Sequence, residues 1–473
     1  MSRRILWLAA VPAAFGLAVA GAALFWLQGE GVTPRALAPY LQQRAAGHNP
    51  LITGTGDWMA ESLRSIDRGA EDLYVPANLV IGAQPLPAGS AAGAPRLVTS
   101  TESARQAFAA ASPGDTITFA PGSYRIRGSL DARRPGLAGS PIVVRAQQPG
   151  TVVLELDAVE GIVVAAPYWR FENLDIRGAC QPAASCEHAF HVVGKARGFA
   201  AVNNTITDFN AHFKINGNQD GFPDAGLIEQ NTLTNSAPRR TSNPVTPVDL
   251  VAASDWVIRA NLITDFIKAD GDRISYGAFA KGAAARTRFE RNVVVCEQRL
   301  RGFPGERVGL SFGGGGTGKP YCRDSRCITE HDAGVMESNL IASCSDAGVY
   351  VNSSAGTRLL HNTVLDTAGV QVRFPESSAE LDGNLIDGAA VTRNGGQLRL
   401  GDNRESAIAA LYLGWHPQRS LFADASRLDL RWDGAAPRRV AGGEGVDLCG
   451  AKRPAQAAYG AFEDFSACLA KAR

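Results

Sequence analysis

The chain has 473 residues, of which 47 are basic and 46 acidic, and its net charge of +1 gives no general attraction to nucleic acid or anionic lipid. Hydrophobic residues make up 45% of the sequence and charged residues 20%, which excludes a disordered chain. The 51 glycines and 25 prolines favour a fold with many turns.

The N-terminus carries a membrane-type segment. Arg3 and Arg4 precede residues 5–27, a run without charged residues that is long enough to cross ~30 Å of hydrocarbon. The positive charge keeps this end in the cytoplasm, so residues 1–27 predict an anchor that leaves the main domain outside the cytoplasm, in the periplasm. A cleaved signal and a secreted protein remain the alternative, because residues 18–20 (AVA) fit a cleavage site.

The next region leads into the main domain. Residues 28–95 are rich in alanine, proline and glycine and are interpreted as a linker or accessory region. A capping box at residues 99–102 then begins a helical pattern that ends near residue 113, before the strand-like run 116–119. The helix positions that repeat are Ala104, Ala107, Phe108 and Ala111. We expect this helix to cap the first end of the domain that follows.

A short phrase recurs along the main domain: an apolar strand, a turn, and an asparagine followed by mostly apolar residues. The spacing of 22 to 47 residues, without helices in between, predicts a β-solenoid at residues 96–390. The asparagine amide can bond to the turns above and below, and its backbone tolerates a left-handed bend. The instances are Asn173, Asn204, Asn231, Asn261, Asn292, Asn339, Asn362 and Asn384.

Two further segments complete the expected organisation. The longest interval between asparagines holds an insertion at residues 314–334, whose Arg323, Asp324, Glu330 and His331 are expected to overhang the solenoid as a lid. Residues 391–473 are less periodic and are expected to form a C-terminal cap, since an uncovered last coil leaves open strand edges.

Eight cysteines, all beyond residue 179, suggest disulfides in an exported protein. The sequence does not fix their pairing, but some partners are close in the chain and two remain as a pair between repeats. The plausible pairs are Cys180–Cys186, Cys322–Cys327, Cys449–Cys468 and Cys296–Cys344. Zinc binding by Cys322, Cys327 and His331 is the alternative for this part of the chain.

The opening phrases of the repeats resemble the chondroitinase-B-like polysaccharide lyases, a family that includes alginate lyases. The phrases are PGDTI at 113–117, PGSY at 121–124 and GSPIVVRA at 139–146. The resemblance implies an all-β fold, a right-handed parallel β-helix, and cleavage of an acidic polysaccharide by β-elimination. It also implies a lysine base, an arginine nearby, and commonly calcium to hold the uronate carboxylate.

The resemblance assigns the base to Lys281, which stands in the family lysine's place, 11 residues before Asn292. The family arginine should lie on the next coil, where residues 310–313 (LSFG) contain none. Tyr276 and Tyr350 are candidate proton donors. A surface lysine without a catalytic role is the alternative for Lys281.

Strand alternation predicts which side chains face outward from one sheet. Ala278, Ala280, Leu310 and Phe312 should point inward, together with the corresponding valines of the next two coils. A polar, aromatic and basic stripe would then suit a linear glycan, although an ordinary solvated sheet face is the alternative. The expected outward residues are His212, Lys214, Asn216, Asp249, Phe279, Lys281, Ser311, Tyr350, Asn352, Gln371 and Arg373.

Two loops offer oxygen ligands for calcium, although the sequence does not identify a metal. They contain Asn218, Asp220 and Asp224 in one case and Asp265, Asp270 and Asp272 in the other. The segment GGGGTGK at 313–319 matches a phosphate-binding loop, but Pro320 replaces the hydroxyl residue that should hold magnesium. We therefore expect neither a nucleotide nor a nucleic acid as a partner.

The sequence as a whole predicts an exported protein that acts on an acidic, uronate-containing polysaccharide, with lyase activity as the first hypothesis. Uronate epimerisation begins with the same proton abstraction and is a related possibility. A non-catalytic glycan-binding or envelope scaffold protein is the alternative from another class, favoured by the missing arginine.

Overall fold

The computed structural model describes residues 18–19, 21–68, 75–85, 95–314, 316–440 and 445–470. Its main body is a parallel β-helix, in which successive coils add one strand to each of three parallel sheets. The predicted all-β solenoid is therefore confirmed.

Sheet 1 has 12 strands, and each ladder asparagine described below follows one of them. They are Pro95–Val98, Thr116–Phe119, Ile142–Ala146, Trp169–Glu172, Ala200–Val202, Leu227–Glu229, Val257–Arg259, Arg288–Glu290, Val335–Glu337, Thr357–Leu360, Ser378–Asp382 and Gln397–Leu400.

Sheet 2 has 11 strands and continues the chain from sheet 1 across a tight turn. They are Gly122–Arg127, Val152–Asp157, Asp175–Gly178, Thr205–Thr207, Thr232–Thr234, Leu262–Thr264, Val293–Val295, Leu340–Ala342, Thr363–Leu365, Leu385–Ile386 and Arg404–Glu405.

Sheet 3 has ten strands and contains most of the predicted site. They are Leu130–Ala132, Glu160–Val164, His188–Val193, Ala211–Asn216, Val248–Val251, Ile274–Lys281, Glu306–Phe312, Val349–Asn352, Val370–Arg373 and Ala390–Arg393. A small parallel sheet joins Ala284–Ala285, His331–Asp332 and Ser354–Ala355, and Phe422–Asp424 pairs antiparallel with Asp429–Trp432.

Four helices are named α1 (Pro34–Ala45), α2 (Pro50–Arg68), α3 (Thr101–Ala109) and α4 (Ile408–Tyr412). Residues 21–29 are also helical. Short 3₁₀ turns occur at Ala183–Ser185, Lys319–Tyr321, Arg419–Leu421, Ala425–Arg427 and Phe465–Cys468. Helix α3 is the predicted cap: its Phe108 packs on Trp169 of the core, with ring centroids 5.3 Å apart. Its capping box uses Ser100 and Ser103 rather than Glu102.

An asparagine ladder runs along the turns between sheets 1 and 2. The side-chain amide of Asn231 donates to the Asn261 oxygen at 3.1 Å and to the Ala201 carbonyl at 3.0 Å. The same pattern recurs at the predicted positions from Asn204 to Asn384 and extends to Asn403. Stacked amides therefore satisfy the buried backbone of these turns.

Two details of the predicted ladder were wrong. Asn173 accepts a hydrogen bond from Asn203, which comes one residue before the ladder member Asn204. The residue of the Asn173 coil that aligns with the ladder is Leu174, whose backbone N–H donates to Asn204. From Asn204 to Asn384, the left-handed residue is the one before the ladder asparagine, as at Gln230 with φ 56° and Ala260 with φ 53°. The ladder side chains thus stabilise a bend that their predecessors make.

The coil interior is filled by the alternate side chains that the pattern predicts. Ala278, Ala280, Leu310, Phe312 and the corresponding valines all belong to the main buried cluster. The parallel strands continue past residue 390, to Arg404–Glu405. Much of the remaining C-terminal segment packs against the outer face of sheet 2, where Phe422, Phe462 and Phe465 cover Val293 and Leu340.

All four predicted disulfides are present: Cys180–Cys186, Cys296–Cys344, Cys322–Cys327 and Cys449–Cys468. The alternative zinc site is wrong, because both of its thiols are bonded to each other. His331, its third proposed ligand, is buried and stacks on Phe312 with ring centroids 4.3 Å apart.

Helices α1 and α2 occupy the region interpreted as a linker, and buried ion pairs attach them to the β-helix. Arg35 donates to Asp67 at 2.5 Å and to Asp366 at 2.6 Å. Arg68 of α2 reaches Glu297 at 3.1 Å. Burial alone would raise the pKa of Asp366, but Arg35, Arg68 and other arginines outweigh it and hold that pKa well below its usual value.

Most of the predicted membrane segment, residues 5–27, lies outside the described residues. Within the part of the chain that the structure describes, no helix has the length and apolar character needed to cross a membrane.

Candidate functional site

The outer face of sheet 3 stacks the predicted residues in two columns, as the strand register requires. The two columns are separated by one inward-facing position along each strand. One column contains His191, Lys214, Asp249, Phe279, Ser311, Tyr350 and Gln371, and the other contains Asn216, Val251, Lys281, Gly313, Asn352 and Arg373.

Much of this face is covered rather than solvated. Phe279 is 4% exposed, Tyr350 9% and Asn352 5%, because loops lie over the middle of the sheet. The interpretation as an ordinary solvated sheet face is therefore wrong for this part of sheet 3. The face retains a cavity of about 690 Å³ at its centre.

Lys281 ends its strand and lines that cavity together with Lys214, Asn216 and Asp249. Its ammonium lies 4.4 Å from the centroid of the Phe279 ring, and it has no hydrogen-bond partner among the described residues. Burial lowers the pKa of Lys281, and the charge of Lys214 adds to this effect, whereas Asp249 and Glu330 oppose it. The cavity therefore contains an amine that loses its proton more readily than an ordinary lysine.

Lys214 and Asp249 form an ion pair beside it, with Nζ and Oδ2 2.9 Å apart. Asp249 is 3% exposed, and its Oδ1 has no hydrogen-bond partner in the described chain. The charges of Lys214 and Asp249 offset each other, so this pair adds little net charge to the cavity wall.

The 314–334 insertion covers the cavity as predicted, with residues 316–325 forming much of its wall. Arg323 holds it in place by donating to both Asp224 oxygens, at 2.6 and 2.9 Å, with its guanidinium over the Phe222 ring. Glu330 accepts from the backbone of Gly282 and Thr317. Two of the four residues predicted to overhang the solenoid, Glu330 and His331, are buried and do not face the cavity.

The remaining predicted residues lie further along sheet 3, outside the cavity wall. Tyr350 accepts a hydrogen bond from Arg373 at 3.3 Å. Tyr276 packs in a small cluster with Tyr350, and burial, with the nearby Tyr350 and Asp346, raises the pKa of Tyr276. Neither phenol lines the cavity, although the Tyr276 ring packs edge-on against Phe279, with centroids 5.6 Å apart.

His212 does not belong to the site, which corrects its prediction as a substrate-binding residue. It faces outward by alternation, but its side chain is completely buried and its Nε2 bonds to the Thr234 carbonyl at 3.0 Å. Burial lowers the pKa of His212 to about 4. Alternation places a side chain on a face without showing that a loop covers that face.

Sequence reasoning missed Glu160, His188 and His191, whose ligand atoms lie within 4.8 Å of one another on the first coils of sheet 3. Burial, followed by the charge of His191, lowers the pKa of His188 to about 4. The phrase HAFHVV at 188–193 was the available signal, since it holds two of the seven histidines of the chain in one short strand. Strict alternation would place His188 and His191 on opposite faces of that strand, so it did not bring them together.

The two loops predicted to bind calcium do not fit the ion. Both oxygens of Asp224 accept from Arg323, and Asn218 accepts from the backbone of Asp220. In the other loop, Asp265 caps the backbone of Gln298 and Leu300, and Asp272 pairs with Lys268. Calcium needs six to eight convergent oxygens, and the oxygens of Asn218, Asp224, Asp265 and Asp272 are already directed to these other partners.

No family model and no curated protein matches the chain. Solved structures with partial likeness include pectate lyase Pel9A, with TM-score 0.49, 13% identity, and coverage of 76% of this chain and 90% of that one.

An alginate lyase from Paenibacillus sp. has a TM-score of 0.32 and 12% identity, and the match covers 65% of this chain and 99% of that one. The PL6 family polysaccharide lyase Pedsa3628 from Pseudopedobacter saltans has a TM-score of 0.35 and 12% identity, and the match covers 72% of this chain and 96% of that one. Likeness of this extent assigns the chain to no family, so membership of the chondroitinase-B-like group stays a prediction.

Proposed function

We propose that this protein cleaves an acidic polysaccharide by β-elimination, with Lys281 as the base. The observation that carries the proposal is the environment of Lys281: its amine has a lowered pKa and faces a 690 Å³ cavity without a hydrogen-bond partner in the described chain. In its unprotonated form, an amine positioned in this way can accept a proton from a bound sugar.

In the proposed reaction, Lys281 removes the proton from the carbon α to the uronate carboxylate. The electron pair forms a carbon–carbon double bond and expels the glycosidic oxygen from the β carbon, and a proton from solvent returns to that oxygen. Negative charge develops on the carboxylate during this step, so nearby cations lower the barrier. Lys214 and Arg323 line the same cavity. Each is already paired with a carboxylate, Asp249 or Asp224, so a bound uronate carboxylate would share these cations with them in place of the missing arginine of the next coil.

The test is incubation of the protein with alginate, chondroitin or pectin while the ultraviolet absorbance of unsaturated uronate is recorded. We expect activity on one of these polymers, reduced by at least ~10²-fold in Lys281→Ala because the proton acceptor is lost. Lys195→Ala, at an exposed lysine outside the cavity, is the control and should keep full activity. Binding without product would contradict the lyase and favour a scaffold, and solvent hydrogen exchange without cleavage would favour an epimerase.

We also propose that the protein works at a membrane surface. Helix α2 presents an exposed apolar stripe in which Leu51 is 81%, Trp58 70% and Met59 42% exposed. These positions share one helix face, and Phe25 is 83% exposed shortly before the helix pair. The apolar residues 5–27 precede this helix closely in sequence, and an apolar helix face suits the interface of a lipid bilayer.

This location can be tested with the full chain in vesicles whose acyl chains carry bromine, which quenches nearby tryptophan emission. We expect the quenched fraction to fall in Trp58→Phe. Trp432→Phe removes an indole that packs against Phe422 and that lipid does not reach, so the quenched fraction should not fall below that of the unmodified protein. Equal quenching in all three proteins would contradict contact between α2 and lipid.

A further inference from the structure

The geometry points to a site for a divalent transition-metal ion, of the Zn²⁺ class, formed by Glu160, His188 and His191 near the first strands of sheet 3. One ligand atom from each residue lies within 4.8 Å of the other two. The three side chains come from adjacent strands, Glu160–Val164 and His188–Val193, whose register the β-helix fixes. The site is therefore held by rigid sheet rather than by a loop.

The hydrogen bonds of His191 show why a cation fits at this position. Its Nε2 lies 2.9 Å from Asn216 Oδ1, and its Nδ1 lies 2.8 Å from Glu160 Oε1. The Asn216 amide is oriented by its own donation to the Gly217 carbonyl, so an oxygen faces the imidazole on both sides. A neutral imidazole carries one N–H, and only one of these two acceptors can receive it.

If the one N–H of His191 is donated to Asn216, the contact between Nδ1 and the Glu160 carboxylate brings two acceptors together. A second proton or a metal ion must then lie between them. With Nε2–H donated to Asn216, the Nδ1 lone pair faces the carboxylate, which is the usual arrangement of a metal-bound histidine with an outer hydrogen-bond partner. Tetrahedral coordination at the usual bond lengths separates two ligand atoms by roughly 3.3 Å. Nδ1 and Oε1 would therefore have to move apart by only a few tenths of an ångström.

His188 supplies the third ligand. Its ring lies 5.4 Å from that of His191, and its Nδ1 is buried with no hydrogen-bond partner in the described chain. A buried, unpaired imidazole nitrogen is costly unless something binds it. A metal ion shared with His191 and Glu160 would remove that cost.

The donor set selects the class of metal. Two imidazoles and one carboxylate suit Zn²⁺ and similar ions, whereas calcium prefers six to eight oxygens. Three protein ligands leave the fourth tetrahedral position for water or a carboxylate oxygen of a bound polymer. His191 lies three strands from Phe279 in its column, about 14 Å away, so this ion would contact a different sugar from the one at Lys281.

The test is metal binding to the full, untagged chain after dialysis against a chelator, with Co²⁺ as the spectroscopic probe. We expect one equivalent of Co²⁺ to give the strong visible bands of tetrahedral coordination, and we expect Zn²⁺ but not Ca²⁺ to displace it. Binding itself is the readout, so the result does not depend on the proposed lyase activity.

Glu160→Gln keeps the side-chain shape, and His191→Ala removes the imidazole. Loss of a residue that only hydrogen-bonds to a metal ligand weakens binding by about 10- to 100-fold, and we expect each of these variants to weaken Co²⁺ binding by more than that. His48→Ala, at an exposed histidine between α1 and α2, should bind as the parent does. Thermal unfolding of each variant shows that it is folded. Absence of tetrahedral bands, or unchanged affinity in Glu160→Gln and His191→Ala, would overturn the site and leave Glu160 and His191 as a charged hydrogen-bonded pair.

Discussion

At the residue scale, the chemistry of the central cavity depends on how its surroundings change one amine. Lys281 has Phe279 beneath it and loses water to the covering insertion, and burial is the largest cause of its lowered pKa. The neighbouring cation Lys214 lowers the pKa further. A base formed in this way becomes neutral at a lower pH than a solvated lysine does.

This arrangement predicts the pH dependence of the proposed reaction. The rate should rise with pH as Lys281 loses its proton. Lys214→Met removes the repelling cation and frees Asp249, and both changes raise the pKa of Lys281, so the rising limb should move to higher pH. A pH–rate profile measures the shift, and the control Lys195→Met should leave the limb in place. A limb that moves to lower pH in Lys214→Met would contradict this account of the site.

At the scale of the elements, the ladder converts a recurrent sequence phrase into a continuous row of hydrogen bonds. Asn292 donates to Asn339 and to the Ile258 carbonyl, both at 2.9 Å, and its oxygen accepts from the backbone of Asn261 at 3.1 Å. Its side chain is completely buried. Each ladder member therefore satisfies groups on the coils on either side of it.

Replacing one member should destabilise the coils on both sides. We expect Asn292→Ala to lower the free energy of unfolding by about 1–3 kcal/mol, because the Asn261 N–H and the Ile258 carbonyl lose a buried partner. Asn243→Ala is the matched control, since Asn243 is exposed and its amide donates to Glu187, away from the column. Denaturant unfolding compares the two, and an equal loss in both variants would argue against a special role for the column.

The elements also show how far sequence reasoning extends. The coil interior followed from alternation and three disulfides from closeness in the chain, which are local rules. Cys296–Cys344 joins residues 48 apart and was predicted only as the pair that remained. Asn173 was misplaced because its phrase looks like the others while the register is set by strand pairing. His212 was misassigned because a loop covers it, and the path of a loop is not written in the alternation of a strand.

At the scale of the whole molecule, buried charges hold the N-terminal helices against the β-helix. Asp366 lies in the turn that follows Thr363–Leu365 and receives Arg35 of α1 at 2.6 Å and Arg301 at 3.5 Å. Arg68 of α2 and Arg419 from the C-terminal segment are also close, at 3.8 and 3.7 Å. One carboxylate thus joins three distant parts of the chain, which no local pattern in the sequence could indicate.

Removal of this carboxylate should release the helices. Asp366→Asn leaves several buried arginines without their counter-charge, which costs about 3–5 kcal/mol in comparable pairs. We expect a lower melting temperature and faster hydrogen exchange in α1 and α2. Asp131→Asn is the control: its partner Arg133 is largely exposed, so this variant should have the melting temperature of the unmodified protein. If hydrogen exchange in α1 is unchanged in Asp366→Asn, Asp366 does not hold the helices in place.

The same pairs give a direction for the effect of acid. The pKa of Asp366 is held below its unfolded value of ~3.9, so its stabilisation is complete above that value and is lost as pH falls through the lower folded pKa. We therefore expect the melting temperature of the parent to fall in strong acid more steeply than that of Asp366→Asn. Parallel curves would show that other carboxylates dominate acid unfolding.

The ladder also bears on how such a molecule changes size over evolutionary time. A whole duplicated turn, inserted between existing ones, would bring its own amide to the column and leave every older amide with a donor and an acceptor. Each such insertion would lengthen the outer face of sheet 3 by about 4.8 Å while both termini keep their packing. Growth in units of one turn would therefore extend this face without any change at either end of the β-helix.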